Sequence, residues 1–343
     1  MTQPLPVMVL TGFLGAGKTT LLNRLLPHPE LRRTAVIINE LGDIGIDHDL
    51  VRTSDKQVVE LMTGCICCAV RGDLARTLHE LWRDRVRQRL PPFDRVVIET
   101  TGLADTGPVL QTLAADAVLD DRYALGGVIT VVDAVNGAAT LAAHPEARSQ
   151  VVAADRLVVS KSDLASAADR AALERSLGHL NPSAPLFTAA AGAAEPTLLT
   201  PIYGSAEHVL AWLGQSAHAA HHHNHDDGIR VFALRHDQPV RAAAVADFLT
   251  LLTGARGPDL LRVKGLVDLV EQPDRPLMVH VAQHLIHEPF PLDRWPSAER
   301  ATRFVFITRN IPAEPVTRLW QALVGAHASS QPVPAAIAAA SAT

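Results

Sequence analysis

The chain has 343 residues, 48% of them apolar and 20% charged, which suits an ordinary globular protein with room for two domains. A net charge of -5 leaves no broad basic surface, so nucleic acid and anionic lipid are poor partners. The start "MTQPLPVMVLTGFLGAGK" lacks a basic region and a small-residue cleavage site, and no apolar run reaches the roughly 18 residues of a membrane span, so a cytoplasmic location is expected.

"PVMVLT" (6 to 11) reads as a buried strand and runs directly into "GFLGAGKTT" (12 to 20). That stretch fits G-x-x-x-x-G-K-[ST] with Gly12, Gly17, Lys18 and Thr19, and it opens a helical "TTLLNRLL". Glycines let backbone amides curl around phosphate, and the helix N-terminus adds its positive end. Lys18 is expected to reach the β and γ phosphates, and Thr19 to offer a hydroxyl to magnesium.

Further short runs rich in Val and Ile follow: "TAVIIN" (34 to 39), "VVEL" (58 to 61), "RVVIET" (95 to 100), "GGVITVVDA" (126 to 134) and "DRLVVSK" (155 to 161). Apolar on both faces, they predict strands covered by helices on each side. "GDLARTLHELWRDRVRQ" spaces Leu74, Leu78, Leu81, Trp82 and Arg85 as a helical stripe, with Gly72 and Asp73 as its start. The expected fold is α/β, a doubly wound, mostly parallel sheet over residues 1 to 213.

"SKSD" (160 to 163) closes the last of these strands, where a base-recognition loop would sit. The Asp163 carboxylate can accept from two neighbouring N–H donors of guanine, which adenine does not present, so GTP is favoured.

All three cysteines of the chain, Cys65, Cys67 and Cys68, lie in "VVELMTGCICCAV". A disulfide there would close too short a loop to matter. A soft-metal site is preferred over a redox pair and over inert packing, with zinc first and cobalt next. Glu40 and His48 are candidate extra ligands.

The polar "GQSAHAAHHHNHDDG" (214 to 228) reads as a His-rich linker. Its His218, His221, His222, His223 and His225 could gather metal weakly. From 229 to 325 a smaller α+β unit is expected, with strands "IRVFALR", "LLRVKGLVDLV", "LMVHVAQHLI" and "TRFVFITR" and a helix in "RAAAVADFLTLLT". On a strand, His280, His284 and His287 serve packing or surface roles rather than a second metal site. Residues 326 to 343, rich in Ala, Ser and Pro, are expected to be a disordered tail.

The order G-F-L-G-A-G-K-T-T, N-E-L-G-D (39 to 43), E-L-M-T-G-C-I-C-C (60 to 68), E-T-T-G-L-A-D (99 to 105) and S-K-S-D resembles CobW-type metal-chaperone GTPases, kin of the nickel-delivery GTPases of urease and hydrogenase maturation. The resemblance continues through the second unit to about residue 325. It implies that Gly12, Gly15, Ala16, Gly17, Lys18, Thr19 and Thr20 hold GTP with magnesium, that Glu40 and Asp43 lie in the first switch, Asp43 on the magnesium side, and that Glu99 sits in the magnesium-side loop. It also implies that Cys65, Cys67 and Cys68 carry the transported ion and that Lys161 and Asp163 bind guanine. Ser160 departs from the family's Asn, so its contact to the guanine ring is expected to be lost or bridged by water.

The expected function is a slow GTPase and metallochaperone that delivers zinc or cobalt to a client metalloprotein or metal-insertion enzyme, with room for a nucleotide- or metal-dependent homodimer. The alternatives are a small-molecule phosphotransferase, a nucleotide-regulated metal store and a thiol redox switch.

Overall fold

The computed structural model describes residues 4–40, 58–62, 69–190, 194–202, 223–224 and 228–329. The first unit runs β1 (Leu5–Thr11), α1 (Lys18–Leu25), β2 (Thr34–Glu40), β3 (Val58–Met62), α2 (Ala69–Val86), β4 (Arg95–Glu99), α3 (Gly107–Ala115), α4 (Ala117–Asp120), β5 (Tyr123–Asp133), α5 (Gly137–Ala143), α6 (Pro145–Ala153), β6 (Arg156–Ser160), α7 (Ala167–Leu180) and β7 (Leu186–Thr188). Its seven strands pair in parallel in the order β3-β2-β4-β1-β5-β6-β7.

The continuous apolar runs of the sequence follow from this layering. Val7 and Val9 of β1 pack on one face with Leu74, Leu78 and Leu81 of α2, while Met8 and Leu10 pack on the other with Leu21, Leu22 and Leu25 of α1. Burying each such side chain is worth about 1.5–3 kcal/mol. The α2 stripe ends as its spacing suggests, with the Arg85 guanidinium 5.4 Å over Trp82 and 5.5 Å over Phe93. One boundary differs: α2 begins at Ala69, so Gly72 lies inside the helix. An interior glycine costs about 1 kcal/mol relative to alanine, which does not stop an otherwise well-docked helix.

The second unit is antiparallel and comprises β8 (His223–Asn224), β9 (Ile229–His236), α8 (Ala242–Arg256), β10 (Arg262–Leu269), β11 (Gln272–Ala282), β12 (Leu285–Ile286), β13 (Phe290–Pro291), β14 (Thr302–Arg309) and α9 (Ala313–Ser329). The sheet order is β12-β11-β10-β14-β9-β8, with β13 also on β11. Phe248 of α8 and Trp320 of α9 pack on Phe304 and Phe306 of β14. Two expectations are corrected. The stretch read as linker contributes an edge strand, His223–Asn224, because its backbone pairs with Val231 and Arg230. Residues 326 to 329, read as tail, continue α9, and His327 Nε2 lies 2.8 Å from Asp247 Oδ2 of α8.

The two units meet through a buried ionic group. Arg262 of β10 pairs with Asp155, at the amino end of β6, and Lys264 Nζ lies 3.6 Å from the same carboxylate while donating to Ser183 O at 2.8 Å. Asp155 Oδ2 also accepts from Val128 N at 2.9 Å. No helix among the described residues is long and apolar enough to cross a membrane.

Candidate nucleotide site and metal stretch

At the carboxyl edge of the parallel sheet, the turn from β1 to α1 is built by glycines. Gly12, at φ 140°, has no room for a side chain: a Cβ would lie 2.2 Å from Val131 O. Gly15 and Gly17 adopt φ 72° and 92°, the left-handed region that favours glycine. No side chain caps α1 and its first turn carries no acid, so its leading amides face outward for an anion.

Lys18 is buried and folds back over the loop, donating to Gly12 O at 2.9 Å and Phe13 O at 3.3 Å. Burial lowers its pKa, and the Glu99 carboxylate opposes that shift. Thr19 Oγ1 donates to Glu99 Oε1 at 2.6 Å, so a hydroxyl and a carboxylate converge below the loop. This pair of hard oxygens fits magnesium, which keeps few protein ligands and takes the rest from water and phosphate. Thr100 Oγ1 donates to Thr11 Oγ1 at 2.8 Å and fastens β4 to β1 beside it.

The base loop is tied to the phosphate loop from behind. Ser160 Oγ donates to Ala16 O at 2.6 Å and lies 3.3 Å from Val132 O, so the hydroxyl is turned into the protein. The hydroxyl is thereby committed to a clamp between two loops, in keeping with the expected loss of a direct contact to the base. Lys161, at φ 53°, donates to Gly15 O at 2.8 Å and to Asp133 Oδ2 at 2.7 Å. Burial alone would raise the Asp133 carboxyl, but Lys161, the amides of Val135 and Asn136 and the Asn136 side chain outweigh it and hold it below the usual range. Asp163 is exposed just beyond.

A cavity of about 250 Å³ lies behind the loop, lined by Phe13, Val132, Asp133, Leu141, Gln150 and Lys161 among others.

The structure thus brings together Gly12, Gly15, Ala16, Gly17, Lys18, Thr19, Thr20, Glu99, Ser160 and Lys161, with Asp163 exposed two residues further along the chain. Asp43, His48, Cys65, Cys67 and Cys68 lie outside the described residues, as do His218, His221, His222 and His225. Glu40 ends β2, where its backbone registers with Met62 of β3, and Ile38 on the same strand registers with Glu99. The cysteines fall between Met62 and Ala69, the start of α2. His280 is on β11 and buried, and burial with the nearby Lys264 and Arg262 charges holds its pKa well below the usual value. Among the described residues no group of three or more His, Cys, Asp and Glu could hold a metal.

Two further residues at this edge, Asp133 and Gln150, lie outside every motif of the sequence. Asp133 had a signal, a carboxylate at the end of a buried strand on the ligand-bearing edge. Gln150, within a short helix, had none.

The family model described as CobW/HypB/UreG, nucleotide-binding domain, matches residues 6–188, and the Cobalamin synthesis protein cobW C-terminal domain matches residues 229–324. The zinc chaperone YjiA of Escherichia coli is 35% identical over 317 residues, covering 92% of this chain and 97% of the relative. The zinc chaperone CobW of Pseudomonas aeruginosa is 32% identical over 343 residues, covering 90% and 88%. The crystal structure of Zn(II)-bound YjiA GTPase from E. coli superposes with a TM-score of 0.66 at 26% identity, covering 94% of this chain and 99% of the other. With both units matched and relatives spanning nearly its whole length, the chain belongs to the CobW/HypB/UreG family and carries a CobW C-terminal domain.

Proposed function

We propose that the chain is a GTP-hydrolysing metallochaperone that carries a divalent transition metal, zinc first and cobalt next, on Cys65, Cys67 and Cys68 and releases it to a client protein. The observation that carries this reading is the strand register: Glu40 lies on β2 two residues beyond Ile38, the partner of Glu99, and pairs with Met62, three residues before Cys65. The strand that leads into the cysteines is thereby joined, through one intervening strand, to the carboxylate under the phosphate loop. The zinc chaperones and zinc-bound GTPase among its relatives support the metal and the nucleotide together.

In this reading Lys18 exchanges the carbonyls of Gly12 and Phe13 for phosphate oxygens and balances charge on the transferred group. Thr19 and Glu99, together with Asp43, would hold magnesium, which would supply positive charge to the phosphates. Ser160 and Lys161 keep the base loop against the phosphate loop, and Asp163 accepts from guanine. Glu40 completes a thiolate site of the kind zinc prefers.

Because nucleotide and metal are linked through shared segments, each changes the other's affinity by the same factor, about 5 to 150-fold for a coupling of 1–3 kcal/mol. Anaerobic competition titration of zinc and cobalt, with GDP and with a non-hydrolysable GTP analogue, on the native chain and on Cys67→Ser, tests it. Tighter metal binding with the analogue, lost in Cys67→Ser, is expected. Equal affinity in both nucleotide states would remove the coupling.

A further inference from the structure

Gln150 of α6 sits where three segments of the molecule meet. The residue is 1% exposed, and its side-chain amide donates to Gly102 O at 3.1 Å and to Ala104 O at 3.0 Å. Those carbonyls belong to the loop that follows Glu99. The loop lies hard against the phosphate loop, since a Cβ on Gly102 would come within 2.5 Å of Leu14 N. The backbone of Gln150 is itself pinned to the central sheet, its carbonyl accepting from Thr130 Oγ1 at 2.7 Å.

The neighbours of Gln150 on the same helix belong to the other unit's packing. Ser149 Oγ is 3.1 Å from Arg309 Nη2 of β14. Val152 is buried in one cluster with Ile229 and Val231 of β9 and Val305 and Ile307 of β14. The loop meets that unit again at its far end, where a Cβ on Gly107 would lie 2.8 Å from Gln283 Nε2. A helix of nine residues is therefore gripped by the loop packed on the phosphate loop on one side and by the C-terminal sheet on the other.

We propose that Gln150 is a positioning residue for GTP hydrolysis, holding the loop after Glu99 in place and joining that loop, through α6, to the seat of the C-terminal sheet. This rests on the GTPase reading above. The two amide hydrogens of glutamine match the two carbonyls, whereas leucine offers no donor and a glutamate carboxylate none either. Displacing a supporting loop by about 1 Å can cost on the order of 100-fold in rate.

The test uses the full chain, with Gln150→Leu and Gln150→Glu beside the native protein. Steady-state GTP hydrolysis with magnesium is expected to show kcat down by about 10 to 100-fold with KM for GTP within about three-fold. A merely structural role would instead move kcat, KM and thermal midpoint together. Hydrogen exchange of peptides covering 100–106 and 302–309 is compared between GDP and a non-hydrolysable GTP analogue. A nucleotide-dependent difference in both peptides of the native chain, lost from 302–309 in Gln150→Leu, is the expected result. Unchanged kcat in both variants, or a difference at 302–309 that persists without Gln150, overturns the proposal. Absence of GTP hydrolysis by the native chain would instead overturn the GTPase reading, and hydrogen exchange, which needs only bound nucleotide, would still judge the link through α6.

Discussion

Replacing Asp155 by asparagine isolates the charge that holds the two units together. Asn keeps the size of the side chain and an oxygen able to accept from Val128 N, so what is lost is the negative charge between Arg262 and Lys264. Asp155 is 0% exposed and Arg262 1%, so solvent does not replace it. Removing one partner of such a pair costs about 3–5 kcal/mol, because the remaining charge stays buried. Two cations share this carboxylate, which argues for the upper part of that range. Lys264 sets a ceiling: burial and then the charges of Arg262 and Arg156 already hold its ammonium well below the usual lysine value, and without Asp155 it sheds its proton more readily. The penalty should therefore be larger near pH 6 than near pH 9. Urea unfolding followed by far-UV circular dichroism, at both pH values, gives the free energy and the slope with denaturant. Against a typical total of about 5–15 kcal/mol, the loss is large enough to be plain. A variant within about 1 kcal/mol of the native chain at pH 6, with the same slope, would refute the reasoning that this charge clamps the units.

Two further outcomes are expected. Ser160→Ala removes the hydroxyl that joins Ala16 O to the base loop, a loss of about 0.5–1.5 kcal/mol, so affinity for fluorescent GDP should fall by about 2 to 10-fold with an equal fall for the adenine analogue; a change in base preference would show that the serine reads the base after all. His280 is neutral in the folded chain because burial lowers its pKa, while the unfolded residue titrates near 6.5. Its folded state binds fewer protons, so its contribution to stability is present above about pH 6.5 and is lost as pH falls, at about 1.4 kcal/mol per unit. Urea unfolding free energies between pH 5 and 7 should show this slope added to that of His287, whose pKa burial lowers to about 3, and His280→Phe should remove only its own part.

The chemistry-bearing segments were legible in sequence wherever a short run of residues carries its own conformational demand. Gly12, Gly15 and Gly17 are needed because the turn takes backbone angles and approaches that side chains resist, and the motif that contains them is contiguous. Six strands of the first unit were legible because sheets covered on both faces require unbroken apolar runs, whereas the three-residue edge strand β7 carries no such run. The start of α2 and the end of α9 were not legible, since a helix held by packing runs through a glycine or into an Ala-rich stretch that local composition would break.

Sequence by itself determined the phosphate loop, the layered α/β architecture, the antiparallel second unit and the stretch that gathers every cysteine. Only the tertiary structure decided that Ser160 clamps Ala16, 144 residues away, that Gln150 reaches the carbonyl of Gly102, and that Asp155 meets Arg262 across 107 residues. The reason is physical: a single hydroxyl, amide or carboxylate carries no local pattern, and its worth is set by which distant groups folding buries against it.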